Sequence, residues 1–376
     1  MAGSWPKVIR DPVHGLIRFE NQPLDKLLLE LVDCREFQRL RRIKQLGFAH
    51  FVFPAATHTR FSHSLGVMWN ARKFITRLRQ LDPKLVDESQ EAVIVVGALL
   101  HDLGHGPFSH AFENVTGIRH ERRTVEFILN SSTEVYDKLS RYDIVPDLPR
   151  RVASLFPEGL ELVVEAGGII EVPCHLSSIV SSQLDADRFD YLIRDSHSCG
   201  TEYGRFDVSW LLDHLFVDND KSRLYLSRKA NHAVEEYVFA RYHMYQSVYF
   251  HKTIRAAEVM LRLLMKRAKF LLEIEPPDPA VKEAAGRLGC VLRREGSLED
   301  FLQIDDDTLT EFVKACSIMN DRTLAYLAKG LLNRRLYKCL DMTDMNRGNP
   351  RIVGRFNQSV GRFVAEQGDS LPVDPD

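Results

Sequence analysis

The run Ala92-Val93-Ile94-Val95-Val96-Gly97-Ala98-Leu99-Leu100 constrains this chain more than any other stretch. The segment around it, Glu91 to Leu103, reads as a helix that is apolar nearly all round. A helix without a polar face has to be buried on every side. The run is far short of the roughly 20 residues of a membrane span, so it reads as the centre of a globular core. It ends on His101-Asp102, and Gly104-His105-Gly106-Pro107 then breaks the helix, because the residue before proline disfavours helical backbone. Two polar residues at the inner end of such a helix are costly unless something satisfies them. A divalent metal does so, since it accepts imidazole nitrogen and carboxylate oxygen together. A hydrogen-bonded helix cap is the plain alternative.

The rest of the chain supplies the shell for that helix. Of 376 residues, 44% are hydrophobic and 27% charged, enough apolar material for a full core. Apolar residues recur at three and four from Leu24 to Leu46, which reads as helices. Thr57 to Leu78, Arg122 to Leu129 and Ser177 to Asp195 read as further helices, and His232 to Leu272 as one long helix or a pair. Strands are few: a hairpin over Val8 to Ile17, turned by Asp-Pro and His-Gly, and a short strand at Arg223 to Leu226. Leu148 to Gly168 is mixed, and Tyr203 to Phe206 reads as loop. The segment Ile274-Glu275-Pro276-Pro277-Asp278-Pro279 cannot continue a helix. The expected architecture is therefore mainly α, with a core over 1–275, a smaller helical region over 276–345 and a polar, flexible tail over 346–376.

Net charge is −2, which excludes a generally basic nucleic-acid coat or a polybasic membrane binder. Six scattered cysteines without C-x-x-C spacing exclude a zinc ribbon and suit reduced thiols. The N-terminus has no apolar signal core, so the expected location is cytoplasmic, with no membrane partner.

Seven of the fourteen histidines lie between His50 and His120, which is where chemistry is to be sought. Arg60-Phe61-Ser62-His63 sets an arginine and a histidine on one helical face. Leu184-Asp185-Ala186-Asp187-Arg188-Phe189-Asp190-Tyr191 puts four charged residues into a helix that otherwise reads as core. Buried acids are normally paired or metal-bound, although a salt-bridged surface face fits the same periodicity. His63, His101, Asp102 and one aspartate of that segment make a His-His-Asp-Asp set with coordination positions left for water and a phosphate oxygen. The helical pattern alone does not choose among Asp185, Asp187 and Asp190.

These residues carry a resemblance. Phe53-Pro54-Ala55-Ala56-Thr57-His58-Thr59-Arg60-Phe61-Ser62-His63-Ser64-Leu65-Gly66 and His101-Asp102-Leu103-Gly104-His105-Gly106-Pro107-Phe108-Ser109-His110 resemble the HD-domain deoxynucleoside triphosphate triphosphohydrolases, the human SAM-and-HD-domain enzyme and bacterial homologues among them. The likeness runs from about Lys7 to about Glu258. It implies an HD-domain helical phosphohydrolase core and metal ligands at His63, His101, Asp102 and Asp187. It also implies hydrolysis of a dNTP to deoxynucleoside and inorganic triphosphate, with activated water attacking the α-phosphorus and a histidine protonating the 5′-oxygen. Fe, Mn, Zn, Ni and Co all suit the donor set, and Mg suits bridging of the substrate phosphates.

By the same resemblance His110 leads as general acid with Glu113 behind it, and His105 and His120 face the phosphates. Histidine suits proton transfer because its ordinary pKa lies near neutrality. Arg60, Arg188 and Arg241 match phosphate-contacting positions, although the human-type pattern has lysine at Arg188. Tyr191 lies beside phosphate or sugar, Asp195 on the 3′-hydroxyl, Gln45 and Leu46 near the sugar, and Tyr249 against a 2′-hydroxyl. Lys7, Val8, Asp33, Gln38 and Arg41 match positions that hold a GTP or dGTP activator, while Trp210 stands where a basic residue is expected. The family also implies a homo-oligomer, dimer to tetramer. Two other readings compete: an HD phosphohydrolase of another nucleotide, and a nucleotide sensor or single-stranded nucleic-acid binder. The complete ligand set and the near-neutral charge disfavour the second.

Overall fold

The N-terminal hairpin pairs Lys7–Asp11 antiparallel with Gly15–Phe19, in the register Asp11 opposite Gly15. Its turn is set by the Asp11 carboxylate, whose Oδ1 accepts the backbone N–H groups of Val13 and His14 at 2.9 Å each. Gly15 follows at φ +72°, a region open to glycine at no steric cost. In this computed structural model residues 5–159, 172–218 and 223–339 are described, with the isolated residues 161, 220 and 358; the side chain of His110 is outside that set. The expected tail over 346–376 lies outside the described residues, apart from residue 358.

Helix Pro23–Asp33 opens on a proline, whose missing N–H costs nothing at a helix start. The helical reading to Leu46 is too long. Helix Arg35–Gln38 and the 3₁₀ turn Arg39–Arg42 end at Ile43, which is extended. Backbone pairing wins there: Lys44 bridges Thr59, and the Arg60 N–H donates to the Ile43 carbonyl at 2.9 Å. The same pairing delays the next helix, which runs Arg60–Leu81 rather than from Thr57.

The central helix runs Glu88–Leu100 and starts in a capping box of Asp87 and Gln90. Every residue from Ala92 to Leu100 is buried, and the helix stops at His101 rather than Leu103. It packs against Arg60–Leu81, Leu148–Ala153 and Cys174–Val180. The expected single helix from Ser177 to Asp195 is two, Cys174–Val180 and Ala186–Cys199. Asp185 makes the break, because its carboxylate caps the second helix by accepting the Arg188 N–H at 2.8 Å. Asn231–Met244 and Lys252–Glu273 form a pair joined through a π-helical turn, Tyr245–Tyr249.

A second short hairpin pairs Leu215–Val217 with Leu224–Leu226. Beyond the prolines come Pro279–Leu292, Leu298–Leu302, Asp306–Cys316 and Arg322–Leu332. Pro279–Leu292 and Arg322–Leu332 pack on Lys252–Glu273, Leu298–Leu302 and Asp306–Cys316 pack on Pro279–Leu292, and Phe301, Ile304 and Leu327 join the same apolar core as the central helix. The fold is mainly α, with short strands in two hairpins among the described residues. None of the described helices is long and apolar enough to cross a membrane.

Candidate active site

Three elements bring four donors together. His63 sits on the buried face of Arg60–Leu81, His101 and Asp102 follow the central helix, and Asp187 lies in the first turn of Ala186–Cys199. The Nε2 atoms of His63 and His101 are 3.3 Å apart. Asp187 Oδ1 is 3.0 Å from His63 Nε2 and 3.7 Å from His101 Nε2. Asp102 Oδ1 is 3.3 Å from His101 Nε2, and its Oδ2 is 3.7 Å from His63 Nε2.

The outward nitrogens are already committed. His63 Nδ1 donates to Asp190 Oδ2 at 2.8 Å, and His101 Nδ1 donates to the Ala98 carbonyl at 3.0 Å. Each bond favours the tautomer whose lone pair lies on Nε2. Two lone pairs and two carboxylates thus face one point, a donor set that fits a divalent cation. The electrostatics agree. Burial pulls the His63 pKa down, but hydrogen bonds to Asp187 and Asp190 outweigh it and raise it to about 10. A site that draws a proton onto a buried imidazole so strongly is short of positive charge.

Arg60, Asp102, His105 and His120 continue along the same wall. Burial opposes ionisation of Asp102, yet the Arg60 guanidinium paired with it, with His101 and His105, holds it well below the usual carboxylate range. Burial and the Arg60 charge push His105 well below the ordinary imidazole value, so it is neutral at pH 7. His120 stacks on His105 with ring centroids 3.9 Å apart. Burial disfavours its charged form, but a 3.3 Å hydrogen bond from Nδ1 to Glu113 raises its pKa. Among the described side chains Glu113 accepts from His120; its expected place behind His110 falls on a side chain outside the described residues.

The loop before His110 is strained. Phe108 and Ser109 have φ of 50° and 46°, a region that costs non-glycine residues roughly 1–3 kcal/mol. Two anchors hold them. Asp306 Oδ1 accepts the Phe108 N–H at 2.8 Å, and Arg60 donates to Ser109 Oγ from Nη2 at 2.9 Å. Asp306 Oδ2 also accepts the Lys44 N–H at 3.0 Å, so a helix beyond the proline break grips two segments of the site.

A cavity of about 440 Å³ opens beside the donors. His63, Asp102, His105, His120 and Asp187 line it, as do Gln45, Leu46, Arg60, Arg188, Tyr191, Asp195 and Tyr249. Buried Asp195 accepts from His58 Nε2 at 2.7 Å and from the Tyr249 hydroxyl at 2.8 Å. Burial and the Asp195 charge raise the Tyr249 pKa well above its usual value, so the hydroxyl keeps its proton. Arg241 is not on this wall; its Nη1 donates to Gln183 Oε1 at 3.0 Å. The activator candidates Lys7, Val8, Asp33 and Arg41 are exposed and Gln38 is half-buried, all away from the cavity lining.

Sequence reasoning missed several groups. Tyr245, Arg255 and Glu258 line the cavity from the π turn and the helix after it. Asp190, His58 and Asp306 act from behind. Asp190 stood in the quoted aspartate segment and His58 in the histidine motif, but spacing gave no sign of their partners. Nothing in the sequence signals Asp306.

Comparison with other proteins identifies the class. Residues 60–166 match the HD domain family, and residues 206–275 match an HD associated region. "Uncharacterized protein YwfO" of Bacillus subtilis is 36% identical over 90% of this chain and 72% of its own length. A "deoxynucleoside triphosphate triphosphohydrolase SAMHD1 homolog" of Dictyostelium discoideum is 31% identical over 96% of this chain and 66% of its own. The crystal structure of a phosphohydrolase from Bacteroides thetaiotaomicron superposes with a TM-score of 0.72 at 32% identity, covering 89% of this chain and 78% of that one. The helical fold and the donor set define a metal-dependent hydrolase. The chain belongs to the HD-domain phosphohydrolases, a class whose domain implies a divalent metal.

Proposed function

We propose that this protein hydrolyses deoxynucleoside triphosphates to deoxynucleoside and inorganic triphosphate. One observation carries the reading: a single cavity is lined by metal donors, by cationic groups for phosphate and by the Asp195–Tyr249 pair for a sugar. Its volume falls within the roughly 300–1,000 Å³ of small-molecule sites. The relative from Dictyostelium discoideum, named for this activity, supports it.

His63, His101, Asp102 and Asp187 hold the cation; Fe, Mn, Zn, Ni and Co suit them, and Mg suits the phosphate oxygens. Such an ion lowers the pKa of water and polarises the phosphorus. The chain's own groups do the rest. Arg60 and Arg188 neutralise phosphate oxygens, with Arg241 able to join only by leaving Gln183. His120, whose pKa Glu113 raises, is the described group suited to give a proton to the departing 5′-oxygen. His110 is the family's residue for that step, and neutral His105 is left to hydrogen-bond a phosphate.

Asp195 receives the 3′-hydroxyl, Gln45, Leu46 and Tyr191 flank the sugar, and the Tyr249 ring is fixed by its hydrogen bond. A 2′-hydroxyl pressed there loses water without gaining a partner, at a cost of about 1–3 kcal/mol. Residues 1–275 make the catalytic core, and the helices of 276–345 brace its loops through Asp306. GTP or dGTP binding at Lys7, Val8, Asp33, Gln38 and Arg41, within a dimer or tetramer, is the regulatory part of the reading.

The test is a product assay on each dNTP and its rNTP with Mn²⁺, using Asp187→Asn as control. Deoxynucleoside and triphosphate from dNTPs, lost in the variant, is the expected result. No turnover of any dNTP, with GTP or dGTP added, overturns the reading in favour of another nucleotide.

A further inference from the structure

The metal ligand His63 is tied to the N-terminal hairpin through one buried carboxylate. Asp190, three residues after Asp187, is fully buried. It gathers donors from three elements. His63 Nδ1 donates to Oδ2 at 2.8 Å, His14 Nε2 to Oδ1 at 2.6 Å, and Arg194 to both oxygens at 2.7 and 2.9 Å. Arg194 continues to Asp11, donating from Nη1 at 2.8 Å and from Nη2 at 3.2 Å. Asp11 in turn shapes the loop that presents His14. Lys73 Nζ lies 3.4 Å from His14 Nδ1, which fits a ring that accepts there and donates from Nε2. There is no slack: a methyl group on Gly66 would overlap Asp190 Oδ1 and crowd the Arg194 guanidinium.

A carboxylate already fixed by two other cationic or N–H donors holds an imidazole in one tautomer and one direction, and such partners typically change metal affinity 10–100-fold. We infer that the Asp11–His14 turn is a positioning element for His63, acting through Asp190, so that the seating of the hairpin sets the affinity of the centre for its cation. The inference rests on His63 being a metal ligand. It deepens the functional reading by giving the strand that carries Lys7 and Val8 a direct mechanical route to the centre: a ligand that shifts this strand shifts His14.

The experiment measures Mn²⁺ binding to the full chain by calorimetry, with electron paramagnetic resonance to count bound ions, and needs no turnover. His14→Ala is expected to weaken binding about tenfold or more. His14→Gln, which keeps an N–H near the Nε2 position, recovers part of it. The double variant with Asp190→Asn binds no more weakly than Asp190→Asn alone. Wild-type affinity in His14→Ala, or fully additive losses in the double variant, overturns the inference. If His14→Ala does not fold, the His14→Gln and Asp190→Asn pair carries the same cycle. A chain that binds Mn²⁺ in this pattern yet hydrolyses no dNTP would sink the substrate assignment and leave the positioning role standing.

Discussion

The donor cluster and the exposed edge that carries the activator candidates were named from the same resemblance, and the structure treats them differently. At the cluster, side chains from three separate elements converge, and His63, His101 and Asp102 each have a second partner behind them. At the edge the hydrogen bonds are local: Arg41 Nε donates to Gln38 Oε1 at 2.8 Å and Gln38 Nε2 donates to the Val32 carbonyl at 2.7 Å, while the Arg41 guanidinium lies 3.6 Å from the Phe61 ring centre. The difference follows from solvation. Buried charge persists only where something compensates it, so its presence implies a task. Exposed charge is hydrated wherever it stands and implies nothing by itself.

The largest effects should fall at the cluster. Asp187→Asn is expected to abolish deoxynucleoside release and Mn²⁺ binding together; a variant that keeps both would remove the contrast altogether. His120→Gln should lower turnover by about 10²-fold or more. Its pH dependence has a definite sign. Because Glu113 raises the His120 pKa, the proton to be donated is present below that value and is lost as pH rises through it. Glu113→Gln should therefore move the basic limb of the kcat profile to lower pH, and an unmoved limb would exclude His120 as donor. Tyr249→Ala should raise rNTP turnover relative to dNTP about tenfold, read from kcat/KM ratios.

Asp306→Ala leaves the strained Phe108 backbone without its acceptor and should cost about 1–3 kcal/mol, read by thermal or urea unfolding. The smallest effects belong to the edge. Arg41→Ala and Asp33→Ala should reduce the ratio of turnover with GTP to turnover without it a few-fold. A large loss in the absence of GTP would place the edge with the cluster.

Much of the fold was legible because burial leaves a one-dimensional trace. The Ala92–Leu100 run announces a central helix, and its abrupt end at His101-Asp102 announces a polar demand inside the core. Element ends were less legible. Ile43 and Thr59 are extended because their segments pair with each other, and no local propensity records a partner. The break at Asp185 was written in the sequence as an N-cap, but the apolar periodicity on either side of it hid the cap.

The sequence by itself determined the mainly helical class, the buried His-Asp corner and the candidate ligand residue types, because composition and periodicity act within one element. The tertiary structure decided which aspartate does what. Asp185 caps a helix, Asp187 faces the donors and Asp190 turns back to His63, His14 and Arg194. The three lie within six residues on consecutive turns, so their neighbours alone distinguish them. Those neighbours come from the hairpin and from Arg60–Leu81, far away in the chain and adjacent only after packing. The partners of His120 and Asp306 were decided in the same way, by what folding places within 3.5 Å of a carboxylate.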